Sequence, residues 1–141
     1  MAIIGGAGNP VGGSFTGPAQ ALEIIGNHAY AYSGKFGASQ TIQTALQFTS
    51  GPSYLVGTIN FNGYVDDDDP GSRNAGNCQV SLNGQGIILM NTGTTAVDAP
   101  TEASSKILIP PYTIVLVEIE SDANAADQYA TVSIIGRIYR D

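Results

Sequence analysis

Four consecutive aspartates, Asp66 to Asp69, are the densest group of side chains in this sequence that could do chemistry. Hard cations such as Ca²⁺ prefer clustered carboxylate oxygens, so the run is a candidate calcium-binding loop. An EF-hand loop, however, alternates its ligands with spacers and ends in glutamate, and this run does neither. Contiguous like charges are more typical of a repelling, solvated loop. We therefore predict no metal site. Calcium binding is the alternative, and its candidate ligands are Asp66, Asp67, Asp68 and Asp69.

The chain has one histidine, His28, and one cysteine, Cys78. A multi-histidine metal site cannot be assembled from a single histidine within one chain. A Ser-His-Asp arrangement would have to use His28, which lies beside aromatic strand residues with no nucleophile motif near it. Cys78 has no base near it in sequence, so we interpret it as a small buried apolar residue. A single cysteine also excludes an intrachain disulfide.

Glu118 and Glu120 are the remaining candidates for acid–base chemistry. A pair of carboxylates can hydrolyse a glycosidic bond, but these two project from one strand face, and the chain has no tryptophan to serve as a sugar platform. The glycine-rich stretch "GGAGNPVGG" lacks the Lys-Ser/Thr pair of a phosphate-binding loop. We therefore expect no catalytic residue and no cofactor, and we predict that the protein is not an enzyme.

Charge in this sequence is scarce and mostly negative. Five Lys and Arg against twelve Asp and Glu give a net charge of −7, and charged residues make up 12% of the chain. Nucleic-acid binding needs clustered lysines and arginines, so we expect no nucleic-acid partner. We also expect no membrane partner, because an acidic chain is repelled by anionic lipid and no segment approaches the length of an apolar span. The N-terminus lacks the features of a signal peptide.

Beyond residue 27 the sequence consists of short alternating segments separated by Gly, Pro, Asn and Asp turns, with no helical period. Asn83-Gly84 is the preferred pair for a two-residue type I′ hairpin. Gly57 and Gly63 are expected at bulges or bends. Eight strands of this kind fit an all-β, antiparallel jelly-roll sandwich best. The predicted strands cover residues 28–36, 41–49, 54–65, 77–82, 85–91, 105–109, 112–121 and 129–140.

The pair Pro110-Pro111 interrupts a β-branched run, "ILIPPYTIVLVEIES". Proline cannot donate a backbone hydrogen bond to a sheet, so the pair must split the run into two strands. In the second strand Val115, Val117 and Ile119 share one face. We predict a rigid corner here, such as one where the chain crosses from one sheet to the other.

Residues 1–27 form a separate region that contains seven glycines and two prolines. Such segments lose too much entropy to fold alone, so we predict an arm over residues 1–27 that orders only against another surface. A disordered tail is the alternative. The β-domain is predicted over residues 28–141. Across residues 1–65 the formally charged side chains are Glu23 and Lys35. So little charge favours the interpretation that this half of the chain is covered by the fold or by neighbouring subunits. A surface of uncharged polar residues is the alternative.

Four stretches carry a resemblance to a known class of protein: "HAYAYSGKF", "NCQVSLNGQGIILMN", "ILIPPYTIVLVEIES" and the closing "VSIIGRIYR". Together they resemble small jelly-roll proteins of virus particles, especially the decoration (cement) proteins of tailed-phage capsids. The resemblance covers residues 28–141. It implies a structural protein on the outer capsid surface, with the major capsid protein and further copies of itself, such as a trimer, as partners. The acidic charge agrees, because a protein facing the genome would be more basic.

Two other classes of protein share this architecture. A carbohydrate- or receptor-binding domain, such as the tip of a viral fibre, would use Tyr30, Tyr32, Tyr54 or Tyr64 as stacking platforms. The lack of tryptophan weakens that alternative. A trimeric signalling ligand of the tumour-necrosis-factor type would normally carry a secretion or membrane-anchoring segment, which we do not expect in this sequence.

Overall fold

The computed structural model describes residues 22–65, 75–94, 101–121 and 128–139. All regular structure in these ranges is β-strand, which confirms the predicted all-β fold. In the described ranges no helix is long and apolar enough to cross a membrane. The ten strands are β1 (Glu23–Ile25), β2 (His28–Tyr32), β3 (Phe36–Gly37), β4 (Gln43–Thr49), β5 (Tyr54–Val65), β6 (Ala75–Leu82), β7 (Gln85–Thr94), β8 (Thr101–Ile109), β9 (Ile114–Ser121) and β10 (Gln128–Tyr139).

The strands form two antiparallel sheets. The first sheet has the order β1-β2-β10-β5-β8, and the short β3 also pairs with β10. The second sheet has the order β4-β9-β6-β7. Buried side chains from both sheets belong to one hydrophobic cluster, so the architecture is a two-sheet sandwich.

The core between the sheets is built from alternate residues of each strand. Val115, Val117 and Ile119 of β9 are buried, as are Val132 and Ile134 of β10. The intervening residues of both strands are more exposed, as the period of two residues in a strand requires. Burying one such side chain contributes about 1.5–3 kcal/mol relative to leaving it in water. The predicted face of Val115, Val117 and Ile119 is therefore confirmed as the inward face of β9.

The number of strands differs from the eight predicted. The segment 28–36 is divided between β2 and β3, because the chain turns at Gly34, whose φ is 71°. The strand predicted over 105–109 begins earlier, at Thr101. The side chains at the start of β8 alternate between half-buried and exposed, as in a strand. They are all polar or small, however, and in the sequence this composition is typical of a loop.

Residues 22–27, the end of the predicted arm, belong to the first sheet. Ile24 pairs with Ala29 of β2, and the side chains of Leu22 and Ile24 are buried in the core. Gly26, with a φ of 61°, makes the tight turn between β1 and β2. The β-domain therefore includes residues 22–27. The rest of the predicted arm, residues 1–21, lies outside the described residues.

The hairpin between β6 and β7 turns at Asn83-Gly84, as predicted. Leu82 pairs with Gln85, and the two turn residues have φ values of 52° and 83°. Positive φ at both positions is the requirement of a type I′ turn, which Asn and Gly tolerate better than other residues.

The Pro110-Pro111 corner joins the two sheets, as predicted. β8 ends at Ile109 in the first sheet, and β9 begins at Ile114 in the second. The buried Ser50 holds this corner: its hydroxyl donates a hydrogen bond to the Pro110 carbonyl (2.7 Å) and accepts one from the Thr113 N–H (2.8 Å).

Gly57 and Gly63 are not bulge positions. The register between β5 and β10, and that between β5 and β8, runs through both glycines without a shift. Gly57 lies opposite Gly136, and a β-carbon added to Gly57 would stand 2.3 Å from the Ile135 carbonyl oxygen. Glycine is therefore needed here for the close approach of two strand backbones.

Candidate functional site

The aspartate run predicted as the calcium candidate, Asp66, Asp67, Asp68 and Asp69, lies outside the described residues. Its role stays a prediction. Within residues 22–65, 75–94, 101–121 and 128–139, no group of three His, Cys, Asp or Glu side chains could hold a metal ion.

His28 lies at the start of β2 on the outer side of the first sheet, and its side chain is exposed. Its neighbours in the sheet register are Ile25 of β1 and Arg137 of β10. Neither neighbour is a nucleophile or a general base, so the structure brings no hydrolytic partner to His28 through the sheet. It instead places this histidine in a surface row with a cation and an aliphatic side chain.

Cys78 is buried in the core, which confirms its interpretation as a small apolar residue. Burial disfavours the charged thiolate and raises the pKa of Cys78 to about 12. The thiol is therefore protonated at neutral pH and is a poor nucleophile.

Glu118 and Glu120 line a cleft of about 240 Å³ on the outer side of the second sheet. The strand register places two amide side chains beside these carboxylates, because Gln79 of β6 lies opposite Glu118 and Asn77 lies opposite Glu120. The Asn91 side-chain amide donates a 2.7 Å hydrogen bond to the side-chain oxygen, Oδ1, of Asn77. Two carboxylates and two amides therefore converge on one opening.

The rest of the lining of this cleft is apolar. Ile42, Leu89 and Met90 line it beside the polar groups, and Cys78 and Ile119 complete the lining. Leu89 is 80% exposed, the largest exposure among the large apolar side chains of the described residues. The cleft can accept a group that combines hydrogen-bond donors or positive charge with an apolar stem.

The tyrosines predicted as sugar platforms are distributed along the first sheet. The rings of Tyr30 and Tyr32 pack on each other, with centroids 5.1 Å apart and planes tilted by 39°. Tyr54 is exposed and lies opposite Tyr139 of β10. The side chain of Tyr64 is outside the part of the chain that the structure describes.

The outer side of the first sheet also has exposed apolar residues that the sequence analysis did not identify. Val56 of β5 lies between Leu108 of β8 and Arg137 of β10 in the register. Ile135 lies two residues before Arg137 and is 49% exposed. The exposure of Ile135 could have been predicted from the sequence, because the other side chains on this face of β10 are polar.

No model of a known protein family matches the sequence, and no curated protein matches it significantly. The function is therefore inferred from the described surfaces and from the composition of the chain.

Proposed function

We propose that this protein is a non-enzymatic structural component of a virus particle, a decoration (cement) protein on the outer capsid surface. Its partners are the major capsid protein and further copies of itself. The observation that carries the proposal is the position of the exposed apolar side chains, which gather on the outer sides of both sheets. Soluble monomers rarely leave large contiguous apolar patches in water, so such faces indicate protein contacts.

The pairing of the strands supports a jelly-roll fold. Without the short strands β1 and β3, eight strands remain in the part of the chain that the structure describes. They pair first with last, second with seventh, third with sixth and fourth with fifth. This is the pairing of one long hairpin. Successive pairs alternate between the two sheets, as they do when such a hairpin wraps into a double-sheet jelly roll.

The charge supports a position on the outside of the shell. The chain carries a net charge of −7, and a protein that lined the packaged genome would need clustered cations to neutralise phosphates. Low charge combined with exposed apolar faces fits a protein that is partly covered by its neighbours.

Carbohydrate or receptor binding is the second candidate function. The cleft beside Glu118 and Glu120 supports it, because carboxylate and amide groups can accept and donate hydrogen bonds to sugar hydroxyls. Tyr54 and Tyr139 offer exposed rings on the other sheet. A glycan array with the purified protein tests this candidate directly, and a saturable hit abolished by Glu118→Gln would favour it over the cement function.

Stoichiometry in purified virus particles tests the cement function. We expect the protein to be present in a fixed ratio to the major capsid protein, and to be accessible to antibody on intact particles. Particles stripped of the protein should rebind it saturably and should then resist heat better. A trace amount that falls with each purification step, like that of a non-structural protein from the same lysate, would contradict the proposal.

A further inference from the structure

The exposed apolar side chains of the described residues are concentrated on two opposite surfaces. We define the first outer face by six exposed residues in two neighbouring rows of the first sheet, all of which point away from the core. These are Ile25, Val56, Lys106, Leu108, Ile135 and Arg137. We define the second outer face by the corresponding residues on the other side of the sandwich. These are Ile42, Ile87, Leu89, Ile114, Glu118 and Glu120.

The first outer face combines apolar and cationic side chains. Leu108, Val56 and Arg137 are neighbours in the register across three strands. In the next row Lys106 lies opposite Thr58, which lies opposite Ile135. The side chains of Lys106 and Arg137 are both exposed. Positive charge is therefore placed within an apolar surface.

Two acids also belong to the first sheet, but neither cancels this arrangement. Glu102 lies near the far end of β8 from Leu108, opposite Asn62. Glu23 of β1 lies opposite Tyr30, which lies opposite Ile135, so its carboxyl group belongs to the row of Ile135, but its side chain is buried. Lys106 and Arg137 are therefore the exposed Lys, Arg, Asp or Glu side chains in the rows of Val56 and Ile135.

The second outer face combines apolar side chains with negative charge. Glu118 and Glu120 lie in the cleft beside Ile42 and Leu89. The lysines and arginines of the described residues, Lys35, Lys106 and Arg137, are not on this sheet: Lys35 stands 4.1 Å from the ring centroid of Tyr129 in β10, and the other two lie on β8 and β10. The two outer faces are therefore complementary in charge.

We propose that the first outer face of one copy of this protein docks on the second outer face of another copy, in a head-to-tail contact. The proposal rests on the part of the proposed function in which copies of the chain touch one another. Contact between two identical faces would place Lys106 and Arg137, or Glu118 and Glu120, near their own equivalents, and like charges in an interface oppose association. Opposite faces instead pair cations with carboxylates around an apolar centre.

The size of the faces is sufficient for a specific but reversible contact. From the usual strand spacing and rise, the four-stranded second face measures roughly 19 by 30 Å. Docking on it would bury on the order of 1,100 Å² from both copies together, near the lower limit for specific interfaces. Head-to-tail contacts close into rings or extend into filaments, depending on the rotation between copies. We therefore expect association that depends on concentration.

Charge reversal on each face tests this contact in the full-length protein without capsids. Sedimentation equilibrium should show self-association of the parent chain that weakens with salt. The variants Glu118→Lys/Glu120→Lys and Lys106→Glu/Arg137→Glu should each raise the dissociation constant about tenfold or more, the equivalent of about 1.4 kcal/mol. Leu89→Ser should weaken association without a change of charge. Circular dichroism and thermal melting check that each variant is folded.

An equimolar mixture of the two charge-reversed variants provides the matched control. Each variant alone has two faces of the same sign, whereas the mixture offers opposite faces again, so association should return. The variant that carries all four substitutions should also associate, because its two faces have simply exchanged signs. A parent chain that stays monomeric, or association that ignores these substitutions, would overturn the head-to-tail contact.

Three further outcomes separate this inference from its alternatives. If deletion of residues 1–21 abolishes association while the charge reversals do not, the N-terminal segment mediates association in place of the face-to-face contact, and the proposal is wrong. If the protein binds capsids but does not self-associate, the inference fails and the cement function stands. If the protein self-associates as described but does not bind capsids, the cement function fails and the head-to-tail contact stands.

Discussion

At the scale of single residues, the buried thiol of Cys78 determines how stability should respond to alkaline pH. An unfolded thiol titrates near pH 9, whereas burial raises the pKa of Cys78 to about 12. Below pH 9 both states hold the proton, and the group contributes no pH dependence. Between pH 9 and pH 12 only the unfolded state loses it, so this residue lowers the free energy of unfolding by up to about 1.4 kcal/mol per pH unit.

We predict that Cys78→Ala makes stability less sensitive to alkaline pH. Urea unfolding of the two proteins at pH 8 and pH 10.5, under reducing conditions, measures the difference. The variant should be less stable at pH 8, because it leaves a small cavity in the core, and the gap should narrow at pH 10.5. If the free energy of unfolding changed equally with pH in the two proteins, the thiol would be hydrated in the folded state.

At the scale of the strands and turns, Ser50 connects the end of β4 to the corner between β8 and β9. Its hydroxyl bonds to the Pro110 carbonyl and to the Thr113 N–H, and both Ser50 and Thr113 are buried. Removing the hydroxyl leaves a buried N–H without its acceptor, which costs about 1–3 kcal/mol.

Ser50→Ala should therefore lower the melting temperature by several degrees. Ser104→Ala on β8 is the matched control, because Ser104 is exposed and its loss should change stability by no more than about 0.5 kcal/mol. Equal melting temperatures for the two variants would mean that Ser50 does not hold the corner.

The close approach of β5 and β10 gives a second prediction at this scale. Gly57→Ala would push a methyl group against the Ile135 carbonyl oxygen, and backbone atoms on both strands would have to move. We expect a loss of about 1–3 kcal/mol or more in thermal or urea unfolding.

Gly51→Ala controls for the general effect of replacing glycine, since a β-carbon at Gly51 meets nothing within 4 Å. It should leave stability unchanged or slightly increased. A harmless Gly57→Ala would show that the two strands can separate at little cost.

At the scale of the whole molecule, the position of β1 defines where the folded domain begins. Deleting residues 1–21 should leave a chain that melts cooperatively near the parent temperature, because the described core starts at Leu22. Deleting residues 1–27 also removes Leu22 and Ile24, whose burial contributes about 1.5–3 kcal/mol each. The longer deletion should therefore melt several degrees lower. Identical melting curves would place β1 outside the cooperative unit.

Much of the fold could be predicted from the sequence because the relevant signals are local. The alternation of Val115, Val117 and Ile119 defines an inward face through the two-residue period of a strand. Asn83-Gly84 specifies its hairpin through the φ values that these residues tolerate, and Pro110-Pro111 ends a strand because proline lacks an N–H. Each inference needs only a few neighbouring residues, and the structure agrees with all three.

The tertiary structure alone decided how distant segments meet. Gly57 was expected at a bulge or a bend because its partner, Gly136, cannot be identified from nearby residues. Ser50 holds a corner 60 residues away, and Glu118 faces a cleft whose amides come from β6. Strand order determines these contacts, and it is set by which pairing buries the most apolar surface across the whole chain. That global balance is not contained in any local pattern.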